Sequence, residues 1–216
     1  MMTTSLLIAA LVVLAYLTGS VPTAVLVSTR IYGIDIRDYG SHNAGATNTF
    51  RILGSKAGTA VMLVDMIKGF LAVKLALFSH FAIGSVNFTN LQVVLGLAAV
   101  LGHIFPIWAD FRGGKGIATL FGMILGIQPL VAVCLVGVFM LMLWVTRYVS
   151  LSSITASIAF PVLIVFIFRE PEISYRTFAI ATACMVVLTH HKNIGRLLHG
   201  NENKVPPFRK RREEED

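Results

Sequence analysis

Charge is scarce in this chain. Only 13% of its 216 residues are charged, against 56% hydrophobic, whereas soluble domains carry about 25% charged and about 45–50% apolar residues. That balance excludes a soluble globule. Seven prolines leave long apolar stretches intact. The two cysteines, Cys134 and Cys184, both lie inside such stretches and read as inert buried thiols, with neither a disulfide framework nor a metal site in view. The stretches do not alternate, which excludes barrel strands, and lipid cannot satisfy open backbone, so the spanning elements are helices. A cleaved signal peptide is excluded as well: the run Ser5 to Ser28 is too long, and Met1-Met2-Thr3-Thr4 carries no basic side chain before it. It reads as a retained span.

What is present is a polytopic, all-α pattern. Apolar runs lie at 5–29, 55–82, 91–109, 117–127, 129–146, 151–168 and 174–190. The fourth is short for a bilayer that needs about 20 residues, and Gln128-Pro129 separates it from the fifth. The expectation is seven transmembrane helices, one of them short. Loop charge tests that count, because cytoplasmic loops are enriched in Lys and Arg. Arg30, Arg37, Arg51 and Lys56 follow the first run, Arg112 and Lys115 the third, Arg147 the fifth, and Lys192, Arg196, Lys204 and Arg209 to Arg212 the seventh. Fourteen of the eighteen basic residues thus share one face, which puts the N-terminus outside and the C-terminus in the cytoplasm. One membrane domain is expected over 1–204, followed by a charged tail, 205–216. The tail's paired signs and juxtamembrane place favour a solvated anchor near anionic lipid over nucleic-acid binding.

Three polar clusters fall on the expected cytoplasmic side. The first runs from Ser41 through His42, Asn43, Ala44, Gly45, Ala46, Thr47, Asn48 and Thr49 to Arg51. Small residues let backbone N–H groups approach a ligand, and Asn, Thr and Arg donate well to phosphate oxygens. The same run reads equally as a polar turn with Thr47 or Asn48 as N-cap of the second span. The second, Arg112-Gly113-Gly114-Lys115-Gly116, opens directly into the short span, an arrangement that suits phosphate at a helix N-terminus. It is not a Walker loop, since Ala109 and Gly116 stand where that pattern needs Gly and Ser or Thr. A flexible loop with one positive-inside lysine is the plainer alternative. In the third, His190 and Asn193 lie three apart, so on a helix an imidazole and an amide share a face and can orient or deprotonate a hydroxyl. An interfacial polar belt explains that cluster equally. The histidines have no zinc spacing. Asp65 and Lys68, at i and i+3 inside the second span, are expected to pair with each other.

Gly19-Ser20-Val21-Pro22, the Ser41-to-Arg51 run, Gly102-His103-x-Phe105-Pro106 with Gly113-Gly114-Lys115-Gly116, and His190-x-x-Asn193-Ile194-x-Arg196-Leu197 with Gly200-x-Glu202 occur in that order. Together they resemble the bacterial PlsY family, acyl-phosphate-dependent glycerol-3-phosphate acyltransferases. The resemblance spans nearly the whole chain. It implies seven helices, residence in the bacterial inner membrane, and transfer of an acyl group from acyl phosphate to the 1-hydroxyl of glycerol 3-phosphate. The products would be lysophosphatidic acid and phosphate, with no cofactor and no metal. The His-x-x-x-x-Asp signature of acyltransferases that use CoA or carrier protein is missing, because Thr47 follows His42 and Trp108 follows His103 at that spacing.

On this reading His190, Asn193, Lys115 and Ser41 are catalytic, while Asn43, Gly45, Thr47, Asn48, Arg51, Gly113, Gly114, Gly116 and Ser153 bind substrate. Lys115 and the N–H groups of Gly113 to Gly116 would hold phosphate. Acyl phosphate, glycerol 3-phosphate and membrane lipid are the expected partners, with no nucleic acid; a monomer is compatible with the sequence. A transporter of phosphate-bearing solutes is the alternative, but transporters place their sites at the bilayer midplane.

Overall fold

The structure, a computed structural model, describes residues 2–205, and side chains from residue 4 onward. The charged tail beyond Val205 lies outside the described residues. Every regular element among them is helical. They divide into two compact units, one ending at Ala132 and one starting at Val133.

The first unit begins with α1, Met2–Ser20, and α2, Thr23–Tyr32. The sequence pattern read residues 5–29 as one helix; the chain instead breaks at Val21-Pro22. Proline has no N–H to donate and its ring disturbs the preceding turn, so an apolar run can be continuous while the helix is not. Next comes α3, Ala46–Lys74, which starts nine residues before the apolar run because its first turns are polar. Gly54, at φ 84° and ψ −177°, interrupts it with a backbone conformation open to glycine. Gly45, not Thr47 or Asn48, is the N-cap. Then follow α4, Val86–Ile104, capped by the Ser85 hydroxyl at 3.2 Å from Phe88 N, and the short α5, Ile117–Ile127.

Glycines set how closely these helices approach. A methyl on Gly69 would collide with the Thr119 carbonyl and one on Gly122 with the Met66 carbonyl, so α3 and α5 touch through backbone. Gly19 and Gly102 do the same for α1 and α4, against Ala99 and Tyr16. Small residues at such contacts are how helices associate without a hydrophobic drive from lipid. Tyr16 Oη adds a bond to the Phe105 carbonyl at 2.8 Å.

The second unit takes most of α6, Pro129–Thr146, then α7, Val149–Val162, which continues through a π turn at Leu163–Ile167 after Pro161. It ends with α8, Ile173–Thr189, and α9, His191–Leu198, bent by 62° from α8. Phe160, Tyr175 and Phe178 form its aromatic centre, with ring centroids 5.5–6.2 Å apart. Cys134 is half-buried and Cys184 exposed, so the expected burial of both thiols fails; Cys184 shares an exposed face of α8 with Ile180 and Leu188.

By length and composition four stretches qualify as spans: Thr4–Tyr32, Val86–Ala109, Pro129–Thr146 and Val149–Ile167. The bent pair α8–α9 makes a fifth. α3 carries Asp65 and Lys68, and α5 has 11 residues. The ends of α5 and α6 match the sequence-based boundaries residue for residue.

Candidate active site

In the first unit, the chain between α2 and α3 folds around Asn48. This side chain is 2% exposed, and its Nδ2 is committed to backbone. Its Nδ2 donates to the carbonyls of Ile36 at 3.2 Å and Tyr39 at 2.9 Å, while Oδ1 accepts from Ser41 N at 3.0 Å. Asn48 therefore fixes the loop that presents Ser41; the substrate contact expected of it has no donor left to make it. Arg51 reaches Asn48 Oδ1 at 3.5 Å and is otherwise exposed, as is Thr47. Asn43 and Gly45 are half-buried, with Asn43 Oδ1 3.1 Å from where a Gly45 methyl would stand.

The same loop is tied to the glycine run. Arg37 binds Asp35 through Nε and Nη2, the latter at 2.7 Å, and donates from Nη1 to the Ala109 carbonyl at 3.1 Å. The Arg37 hydrogen bonds hold the Asp35 carboxyl below its ordinary range. Asp110 and Phe111 turn the chain with φ near 55°, and Gly116, at φ 79°, turns it again into α5. Between those turns the N–H of Gly113 donates to Ile104 O at 3.1 Å and that of Gly114 to His103 O at 3.2 Å. This corrects the expectation that both amides are available to an anion: the loop spends them on its own α4. Lys115 is half-buried and stands two residues before the first turn of α5.

The two clusters meet. A methyl on Gly45 would stand 4.0 Å from Gly114 Cα, and one on Gly114 would stand 3.0 Å from the Ala44 carbonyl. Stretches about 70 residues apart in the chain thus meet at Ala44, Gly45 and Gly114, the last of these next to Lys115 in the chain.

In the second unit His190 and Asn193 are both buried, at 3% and 6% exposure. His190 sits at the bend, not inside one helix with Asn193. Its Nδ1 lies 2.8 Å from the Val186 carbonyl. A carbonyl only accepts, so Nδ1 carries a proton. Asn193 Nδ2 donates to Glu202 Oε1 at 2.6 Å, Ser150 Oγ to the same oxygen at 2.9 Å, and Arg196 Nε to Oε2 at 2.6 Å. Burial alone would raise the Glu202 carboxyl; the bonds from Arg196, Asn193 and Ser150 outweigh it and hold the group below its ordinary value. A bond from Val205 N to Arg147 O, 2.8 Å, pins the segment carrying Glu202 to the start of α7. Ser153, one turn from Ser150, donates to Val149 O at 3.0 Å, so it bonds back onto its helix and does not cap it.

A family profile described as "Glycerol-3-phosphate acyltransferase" matches residues 9–200. The chain belongs to the glycerol-3-phosphate acyltransferase family. Curated members include one from Chlorobium phaeobacteroides (strain DSM 266 / SMG 266 / 2430), 39% identical over 91% of this chain and 95% of that protein, and one from Chlorobaculum tepidum, 38% identical over 93% and 97%. The crystal structure of PlsY (YgiH), an integral membrane glycerol 3-phosphate acyltransferase in its glycerol 3-phosphate form, superposes with a TM-score of 0.81 at 39% identity, covering 92% of this chain and 95% of that one. A lysophosphatidic acid form of PlsY gives 0.79 at 36% identity over 91% and 94%. The acyltransferase family match runs unbroken across Ala132, and the fold is that of an all-helical integral membrane protein. Glu202, Ser150 and Arg37 were not picked out as site residues from sequence. Glu202 stood only within the Gly200-x-Glu202 motif, and no spacing in the sequence ties it to Asn193 or Arg196.

Proposed function

We propose that this chain moves a fatty acyl group from acyl phosphate to the 1-hydroxyl of glycerol 3-phosphate, giving lysophosphatidic acid and phosphate. The observation that carries the reading is the meeting of Ala44 and Gly45 with Gly114, next to Lys115 in the chain, within a chain that matches the acyltransferase family over residues 9–200. One membrane domain over 1–204, seven crossings with the N-terminus outside, and a bacterial inner membrane location complete it. The support for that topology is the one-sided placement of basic residues.

In the reaction the hydroxyl oxygen attacks the acyl carbonyl carbon and the carbon–oxygen bond to phosphate breaks, so phosphate leaves as a stable anion. No acyl-enzyme is needed. Lys115 and the first turn of α5 offset the charge that develops on the departing phosphate. Ser41, Asn43, Gly45, Thr47 and Arg51 bind the phosphorylated substrates, and Asn48 keeps their loop in shape. His190, with Asn193 aimed by Glu202, orients the hydroxyl; its proton passes to His190 Nε2 or to a substrate phosphate oxygen. Ser153 supports the same group of side chains from α7. The acyl chain stays in lipid, at about 0.8 kcal/mol per CH₂, while glycerol 3-phosphate arrives from water; a site at the cytoplasmic interface meets both.

Proteoliposomes given external labelled glycerol 3-phosphate and acyl phosphate separate this reading from transport. Label recovered in lysophosphatidic acid supports the enzyme. Label accumulating unchanged in the lumen, with none in lipid, supports the transporter and overturns the proposal.

A further inference from the structure

Beneath the glycine run lie three ionisable side chains that the reaction above does not use. Asp65 and Lys68 on α3 and His103 on α4 are 1%, 5% and 7% exposed. Burying such groups among membrane helices is costly unless they are paired, and Asp65 and Lys68 pair here. Asp65 Oδ1 lies 2.9 Å from Lys68 Nζ and 3.6 Å from His103 Nδ1. Lys68 Nζ also donates to the Val21 carbonyl at 3.0 Å, in the break between α1 and α2.

The far side of the imidazole explains why the cluster is there. His103 Nε2 packs on Gly114 so closely that a methyl at Gly114 would collide with it, and the Ala44 carbonyl stands 3.0 Å from the same point. The backbone of His103 and Ile104 also accepts the Gly114 and Gly113 amides. Ring and carbonyl of one residue thus hold the glycine run from two directions, where it meets the Asn43–Gly45 stretch. Behind the ring, beyond hydrogen-bond length, stands Asp65, which is held by Lys68, itself anchored on the α1–α2 break.

We propose that His103, braced by Asp65 and Lys68, is a positioning residue for the transfer: it fixes the height of Gly114, and through it the placement of Lys115 against the phosphate-binding stretch at Asn43–Gly45. The role rests on the acyl transfer proposed above. It makes no contact with substrate and uses no titration of the three groups. A displacement of about 1 Å at a reacting group costs on the order of 100-fold in rate, so a brace two steps removed from the chemistry is enough to control it.

The test is a cycle of variants assayed for lysophosphatidic acid with both substrates varied. His103→Ala and Gly114→Ala singly are expected to lower kcat/KM by about 10- to 100-fold and to raise KM for a phosphorylated substrate, a change that loss of active protein does not produce. Combined, they should cost much less than the product of the single losses, because removing the ring makes room for the methyl. His103→Gln and Asp65→Asn repeat the measurement if His103→Ala does not fold. Wild-type KM and kcat/KM in the folded His103 variants, or single losses that simply multiply, overturn the inference, as does failure of all the His103 and Asp65 variants to fold, which assigns the cluster to stability alone. A wild-type protein with no transfer activity overturns the proposed function, and that outcome is distinct from all of these.

Discussion

The amide of Asn193 is aimed by Glu202: Nδ2 donates to Oε1 at 2.6 Å, and because a carboxylate only accepts, the orientation of the amide is settled. The other donors on Glu202, Ser150 and Arg196, hold the carboxylate in place. Glu202→Gln keeps the shape but turns an NH₂ toward the Arg196 guanidinium or toward Asn193. Two donors then face each other, and kcat should fall by about tenfold or more. Steady-state kinetics on the purified variant check it; unchanged kcat removes Glu202 from the site's architecture.

The same carboxylate predicts a pH dependence of stability. Its folded value is depressed below the ordinary 4.5. The stabilisation is therefore complete above that ordinary value and is lost as pH falls through the lower folded one. Thermal unfolding in detergent between about pH 6 and pH 3 should show a steeper acid loss in the wild type than in Glu202→Gln. Parallel curves would mean that Glu202 does not contribute through its charge.

His190 and Asn193 are separable by kinetics. If they orient the hydroxyl together, His190→Gln and Asn193→Ala lose activity to a similar extent, about 100-fold. If Nε2 takes the proton, the His190 variant is the worse by at least about tenfold in kcat.

Helix contacts give a prediction about stability alone. Gly122→Ala drives a methyl into the Met66 carbonyl, backbone that cannot step aside, whereas a methyl on Gly137 meets nothing within 4 Å. Gly122→Ala should destabilise by about 1–3 kcal/mol and Gly137→Ala should be neutral or gain up to about 1 kcal/mol. Thermal unfolding of the two in one detergent compares them directly.

Composition and run length made the helices legible, and the Gln128-Pro129 break gave the ends of α5 and α6, because a proline at a helix start is both a stop and a beginning. The break at Pro22 was hidden by apolar residues on both sides, and the polar start of α3 read equally as a ligand loop or as a turn capped at Thr47 or Asn48, because those residue types suit both. At the site, the residue types that suit phosphate were visible, and so was the Asp65–Lys68 pair. The true work of Asn48 was not, since it depends on residues 36–41 folding back over it. Nor was the loss of the Gly113 and Gly114 amides to α4, which only the path of the chain decides. Glu202 became part of the site through a turn that returns it to α9 and α7.

Acyl transfer by this chain turns on acyl phosphate as donor and on Lys115. Purified protein in lipid, given acyl phosphate and labelled glycerol 3-phosphate without CoA, carrier protein or added metal, is predicted to form labelled lysophosphatidic acid, with Lys115→Ala folded and at least about 100-fold slower. No product without acyl-CoA, or full activity in the Lys115 variant, would contradict it.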